Sequence, residues 1–411
     1  MKKRKQFTEI IMRKTSYREL ILLKNVLRDE AVSAFAEATE NDDAEQYARA
    51  LALLMERDEQ HSLARRIADA VLYDDNLFAR RAFAGTLNGD IRAAYRRDLG
   101  ILYALAKTAD TLPPRISECV KEGMPRIGRG GSDLFGSDWA SDETLLRLEK
   151  FYAANGYGKF IGHKAFTFEN GALVPVKNTS DISLSDLKDY EDEKRAVEDN
   201  IVNFVEGLPY SNMLLYGDKG TGKSSTIHAM LNKYAERGLR AVEIPKEQIR
   251  EINALKETLA SLPFKFMIFI DDLSLEEHDE KVASLKASLE GSMNEKSANV
   301  MIAATSNRRH ILKENFSDRD NSVHASDTMA EQLSLSDRFG LTVLFSSTGK
   351  AEYLSIVRQL AKDRDIGTAD EELCSLAERW ALSKGGRSPR RAKQFVDYLY
   401  ACKMKNSEVL I

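Results

Sequence analysis

Apolar positions recur at intervals of three and four along the first part of the chain. "ELILLKNVL", "YARALALLM", "LARRIADAVL" and "LGILYALAK" each set large apolar side chains on one helical face, so residues from about 16 to 120 read as helices. Pro113 and Pro114 break that pattern. "EGMPRIGRGGSDLFGSDWASD" follows, rich in Gly, Ser and Asp, and reads as a linker or mobile loop. A further helix is predicted at "ETLLRLEKFYAAN". "AFTFENGALVPV" has two extended runs around Asn170-Gly171, a dipeptide that favours a two-residue hairpin turn. "SLSDLKDYEDEKRAVEDNIVNFVEG" predicts a long amphipathic helix, with Ser185 or Asp186 as its start and Gly207 near its end.

From 212 to 347 the pattern alternates between strand and helix. Short continuous apolar runs occur at 212–216, 240–244, 265–270, 299–305 and 341–346, and helical segments fit between them. Such runs, separated by helices, indicate a parallel sheet covered on both faces. From 350 onward the chain is helical again, in "AEYLSIVRQLAKD", "ADEELCSLAERWALSK" and "SPRRAKQFVDYLYACK". There is no internal repeat.

Composition narrows the setting. With 411 residues the chain has room for two or three domains. Net charge is −4 with acids and bases interleaved, which argues against a nucleic-acid coat but leaves room for a local basic patch. Cys119, Cys374 and Cys402 show neither disulfide nor zinc spacing and read as reduced thiols of a cytoplasmic protein. No apolar run reaches membrane-spanning length, and the basic start is broken by polar residues before any secretory core forms.

The chemistry is concentrated in "LLYGDKGTGKSS". Gly217, Gly222, Lys223 and Ser224 match the spacing of a phosphate-binding loop between a strand and a helix. Glycines let successive N–H groups turn inward on phosphate oxygens, and the following helix presents its positive end to the same anion. Asp218, Lys219, Gly220, Thr221 and Ser225 complete the loop. Lys223 is expected to reach the β- and γ-phosphates of ATP, and the Ser224 hydroxyl to ligate Mg²⁺. "KFMIFIDDLS" ends a second strand in two carboxylates. Asp271 is the expected metal carboxylate; Asp272 is placed to orient or activate water, or alternatively to cap a helix.

These residues, with four further positions, resemble an AAA+ ATPase. "VMIAATSN" ends a strand in Asn307, where AAA+ proteins carry a polar residue that helps position the attacking water. Arg338 in "LSLSDRFGL" matches the place of an arginine finger that projects into the neighbouring subunit's site. "GGRSPRRAKQF" is similar to the arginine-bearing lid helix, with Arg390 the better match and Arg391 its rival. "SLSDLKDYEDEKRAVEDNIVNF" resembles the segment that packs on adenine, with Asp189 where the family usually has glycine, beside Lys188 and Tyr190. The resemblance covers about residues 183 to 405, and extends more broadly to a group of uncharacterised bacterial AAA+ ATP-binding proteins with a helical N-terminal region.

The resemblance implies an α/β fold: a parallel-sheet P-loop NTPase core of AAA+ type, with a C-terminal helical lid and a mainly helical N-terminal region. The expected divisions are 1–145, a helical region ending in the Gly/Ser-rich linker; 146–182, a helix and hairpin connector; 183–348, the nucleotide-binding domain; and 349–411, the lid. It also implies ATP and Mg²⁺ as cofactors, a homo-oligomeric ring or open arc, and a protein partner held by the N-terminal helices. Two departures matter. Asp272 stands where the family usually has the longer Glu, so slow or partner-stimulated hydrolysis is expected. "PKEQIREINALKETLASLP" lacks the aromatic and glycine of a polypeptide-threading pore loop. An oligomeric ATP-driven switch or remodelling motor leads. A nucleic-acid loader, suggested by "NRRHILK", "RSPRRAKQ" and the pairs Arg65-Arg66, Arg80-Arg81 and Arg96-Arg97, a small-molecule P-loop kinase and a non-hydrolysing interaction protein stay open.

Overall fold

Two units divide the chain between Gly162 and His163. The computed structural model describes residues 17–56, 61–128, 134–276, 280–289, 298–307, 312–313, 337–405 and 407–409. Of the sequence signals, residues 308–311 of "NRRHILK" and 333–336 of "LSLSDRFGL" lie outside them.

The first unit is helical: α1 (Glu30–Asn41), α2 (Ala44–Met55), α3 (Leu63–Leu72), α4 (Leu77–Phe83), α5 (Gly89–Thr108), α6 (Pro114–Lys121) and α7 (Asp142–Asn155). Short polar side chains start most of these helices. Asp29, Asp43, Ser62, Asn76, Asn88 and Ser141 each accept backbone N–H bonds from the first turn, satisfying donors that a helix start leaves open. Phe78 stacks on Tyr95 at 3.9 Å between ring centroids, and the Tyr152 hydroxyl donates to the Val71 carbonyl at 3.0 Å. Asp98 of α5 is fully buried and accepts the N–H groups of Ile21, Leu22 and Leu23, tying the start of the unit to its longest helix.

The segment expected as a linker or loop is described in part, and that part has no helix or strand before α7. Its described part belongs to the core of this unit: Phe135 and Trp139 are buried with ring centroids 4.8 Å apart, and the Tyr103 hydroxyl donates to the Ser137 carbonyl at 2.7 Å. Gly and Ser content pointed to a solvated loop, but two aromatic anchors outweigh composition. The expected 146–182 connector is also divided. Helix α7 goes with the first unit, and the hairpin goes with the second.

In the second unit that hairpin is β1 (Ala165–Glu169) and β2 (Ala172–Pro175), antiparallel, with Asn170 at φ 50° and Gly171 at φ 76°. Two positive-φ residues make the mirror-image turn that matches strand twist. Strands β3 (Met213–Gly217), β4 (Leu239–Glu243), β5 (Lys265–Ile270), β7 (Val300–Ser306) and β9 (Leu341–Phe345) complete a seven-stranded sheet in the order β2-β1-β4-β5-β7-β3-β9. All its pairings except β1 with β2 are parallel. A short parallel pair, β6 (Leu275–Glu276) with β8 (Leu312–Lys313), stands apart.

Alternate strand residues face opposite sides, and both sides are buried. Met267 and Phe269 of β5 join Met213 and Leu215 of β3 in a core with α8 (Glu191–Glu206) and α9 (Lys223–Tyr234). Phe266, Ile268 and Ile270 point the other way and are equally buried; α10 (Ile252–Ala260) buries Leu255 and Leu259, and α11 (Glu280–Leu289) buries Val282 and Leu285. The last three helices, α12 (Lys350–Asp363), α13 (Asp370–Ser383) and α14 (Pro389–Lys405), share a separate apolar cluster that includes Tyr353, Ala377 and Phe395. The α/β class, the helical lid and the helical N-terminal region are thus as the sequence leads one to expect. Among the described residues no helix is long and apolar enough to cross a membrane.

Replacing Asp98 with alanine orphans three backbone donors and is expected to destabilise the first unit by roughly 3 kcal/mol. Hydrogen exchange on the full chain checks this: the Leu22 and Leu23 amides should lose protection in the variant, and unchanged protection contradicts the role.

Candidate functional site

The strand order decides what meets at the C-terminal edge of the sheet. Strand β7 lies between β3, which runs into the phosphate loop, and β5, which ends at Asp271. Residues at the ends of all three therefore converge. The cleft there has a volume of about 360 Å³ and is lined by loop residues from Lys219 to Ser225 together with Asp271, Asp272, Thr305, Asn307, Tyr190 and Arg390.

The loop is built on close approach. Gly217 has φ 135°, and a Cβ at that position would overlap the Phe345 carbonyl of β9. Gly220 has φ 86°, and a Cβ there would sit 3.1 Å from Ser388 Oγ and 3.3 Å from Arg390 Cβ. The Arg390 N–H donates to the Gly220 carbonyl at 3.2 Å, so the start of α14 rests on the loop backbone. The Thr221 hydroxyl donates to the Asp218 carbonyl at 2.9 Å and helps close the turn. Gly222 precedes α9, whose first residues are Lys223 and Ser224, so the helix N-terminus opens on the loop.

Lys223 is buried. Its ammonium donates to the carbonyls of Gly217 and Asp218, at 2.9 and 2.8 Å, and to Asn307 Oδ1 at 3.2 Å. Burial lowers its pKa; Asp218, Asp271 and Asp272 oppose that, and Arg390 adds to it. A polyanion arriving beside this ammonium would restore the charged form's advantage. The Ser224 hydroxyl donates to Asp271 Oδ1 at 2.6 Å, and the Thr305 hydroxyl donates to the same oxygen at 2.5 Å. Thr305 Oγ1 in turn accepts the Asp272 N–H at 3.0 Å. Asn307 Nδ2 donates to Asp272 Oδ1 at 2.6 Å, so Asn307 bridges Lys223 and Asp272. Asp272 adopts φ 51°, a left-handed conformation that aspartate tolerates better than most residues.

The structure gathers most of the sequence-predicted residues. Loop residues Lys219 to Ser225, Asp271, Asp272, Asn307 and Arg390 share the cleft; Gly217, Asp218, Arg338 and Arg391 are not among its lining residues. Asp189, at the expected glycine position, has φ 71°, so the backbone shape that favours glycine is present with aspartate in it. The sequence reading missed Thr305 and Lys393. Thr305 was legible only as one of two small polar residues, with Ser306, between an apolar run and Asn307.

The donors suit a hard cation held jointly with a polyphosphate. Ser224 and Asp271 offer oxygen ligands side by side, and among the described residues no group of three or more His, Cys, Asp or Glu forms a self-sufficient metal cage. The glycine-walled loop and its buried ammonium suit the phosphates themselves.

Comparison with known proteins gives a family and a distant likeness. No curated protein matches. Among solved structures, the Holliday junction branch migration motor RuvB of Thermotoga maritima is similar at a TM-score of 0.40 and 15% identity, over 56% of this chain and 68% of that one. A substituted form of the same protein is similar at a TM-score of 0.39 and 16% identity, over 56% and 67%. A family profile described as "Protein of unknown function (DUF815)" matches residues 162–403, more than half of the chain and the whole of the cleft just described. The chain belongs to that family.

Proposed function

We propose that the second unit binds Mg–ATP in this cleft and hydrolyses it slowly, as an AAA+ ATPase acting as an oligomeric conformational switch or remodelling motor. One observation carries the reading: Lys223 and Ser224 of the loop are hydrogen-bonded directly to Asn307, just past the end of the neighbouring strand β7, and to Asp271, just past the end of β5 beyond it. A loop that merely joined strand to helix would have no need of that network.

Lys223 receives the β- and γ-phosphates, exchanging its carbonyl partners for phosphate oxygens. Ser224 and Asp271 would hold the cation, and Thr305 fixes the Asp271 carboxylate. Magnesium supplies charge neutralisation on the β- and γ-oxygens when nucleotide is bound. Asp272 and Asn307, already paired, orient the attacking water; Asp272 takes its proton as the water oxygen bonds to the γ-phosphorus, and the bond from that phosphorus to the β-phosphate oxygen breaks to release ADP. The short Asp272 side chain, spent on Asn307 in this state, accounts for a slow basal rate. Arg390 reads the phosphates from the lid side. Arg338, at the place that the resemblance gives to an arginine finger, acts on a neighbouring subunit's cleft. The other wall of the cleft, from Ile182 to Tyr190, faces Ile356 and Leu360 of the lid and takes the base.

The N-terminal helices are the proposed partner-binding region. A nucleic-acid partner is the weaker choice. At least one arginine of each of the three pairs in the first unit is engaged with a carboxylate: Arg66 with Asp29, Arg80 with Asp75, Arg96 with Asp142 and Arg97 with Glu19. Phosphate binding would have to displace those pairs. A cytoplasmic setting agrees with the three free cysteines.

Two expected outcomes follow from these roles. Asp272→Ala keeps Mg–ATP binding within about twofold while lowering turnover by about 100-fold, the scale of a lost general base; equal loss of binding and turnover contradicts the role. Specific ATPase activity rises with protein concentration in the wild type, and Arg338→Ala abolishes that rise; a variant that keeps it contradicts action between subunits.

A further inference from the structure

The wall Ile182–Tyr190 has almost no structure of its own. It contains one three-residue 3-10 turn, Leu184–Asp186, and two successive left-handed residues, Asp189 at φ 71° and Tyr190 at φ 63°. No ladder of backbone bonds sets its position, yet it lines the cleft along with the phosphate loop. Tyr190 anchors its end in the core and donates to the Ser346 carbonyl at 2.7 Å; the rest is held by side-chain donors from the helices behind.

Asn232 of α9 donates through Nδ2 to the Ile182 carbonyl at the start of the wall, at 2.6 Å, and to the Ser180 carbonyl just before it, at 2.8 Å. The helix that carries Asn232 begins with Lys223 and Ser224, so one rigid element holds the phosphate end and this end of the wall. Nine residues separate Asn232 from Lys223, about 13 Å along a helix axis. Lys194 of α8 holds the wall's other end. Its side chain is nine-tenths buried, and its ammonium donates to the Leu187 carbonyl and to Glu191 Oε1, both at 2.7 Å. A lysine head taken out of water needs acceptors, and here one of them is wall backbone. Next along the chain, Lys188 pairs with Asp363 of the lid at 2.8 Å.

We propose that Lys194 and Asn232 are positioning residues for the nucleotide base: they hold the wall in the shape that packs against it. Asn232 does not line the cleft; Lys194 does, but its ammonium is engaged by Leu187 and Glu191. The inference rests on the nucleotide reading given above. It adds a separation, because neither residue contacts the phosphate loop, Asp271, Thr305 or Asn307 through any hydrogen bond described. Loss of either should weaken recognition of the base and spare recognition of the polyphosphate. A residue that served stability alone would weaken both together.

The test compares Mg–ATP with Mg–tripolyphosphate, which lacks base and sugar, by equilibrium binding to the full chain. The wild type should bind ATP more tightly than tripolyphosphate. Lys194→Met and Asn232→Leu should each weaken ATP about tenfold, as expected for one buried hydrogen bond to a main-chain carbonyl, and change tripolyphosphate by less than about twofold. Lys194→Arg, which keeps a cationic donor, should recover part of the ATP affinity. The two variants lie on different helices, so misfolding of one leaves the other to decide. Equal losses for both ligands, or unchanged ATP binding in both variants, overturn the proposal while leaving the nucleotide site intact. A wild type that binds neither ligand overturns the nucleotide reading and this inference with it.

Discussion

The Lys223 ammonium is held out of water, and a buried cation must be surrounded by oxygens. Three are supplied, by the carbonyls of Gly217 and Asp218 and by the side chain of Asn307. Meeting that demand curls the loop back on itself, and the curl is possible only because Gly217 can lie against the Phe345 backbone. The same demand draws the end of β7 toward the loop and, through Asn307, brings in Asp272. Polyphosphate oxygens are the natural substitutes for those three acceptors. In that sense the resting site is arranged around the charge that its ligand would neutralise.

A second constraint is the sheet order. Because β7 separates the loop strand from β5, the carboxylates reach the loop only across the β7 end, and residues there become part of the site by necessity. Thr305 shows this well. Its hydroxyl accepts from the Asp272 backbone and donates to the Asp271 side chain, so both acidic residues are oriented by one small buried group. The lid completes the cleft from the other side. Its helix α14 rests on Gly220, and the Lys188–Asp363 pair joins the lid to the opposite wall, so displacement of the lid is coupled to both ends of the cleft.

Much of this was legible in the sequence because buried parallel strands and phosphate loops leave dense local signals. The five core strands are continuous apolar runs, and the loop has fixed spacing. Long-range facts were not legible. Asn170-Gly171 announces a hairpin, but nothing local says that β1 pairs with β4 and extends the sheet. Arg390 and Arg391 are neighbours at the start of one helix, and only its docking decides which lines the cleft. Phe135 and Trp139 lay in a segment whose composition suggested a loop, since anchoring depends on where rings pack. Lys194, in "EDEKRAVEDN", looks like one more solvated charge until its burial is known.

The account stands or falls on whether the Lys223 cradle takes a nucleotide. Calorimetric titration of Mg–ATP into the full chain, beside a Lys223→Ala variant, asks this directly. The account predicts one saturable site in the wild type and a loss of about 100-fold or more in the variant, on the scale of a buried charge-assisted contact. A wild type that takes up no ATP, or a variant that binds it as tightly, would contradict it.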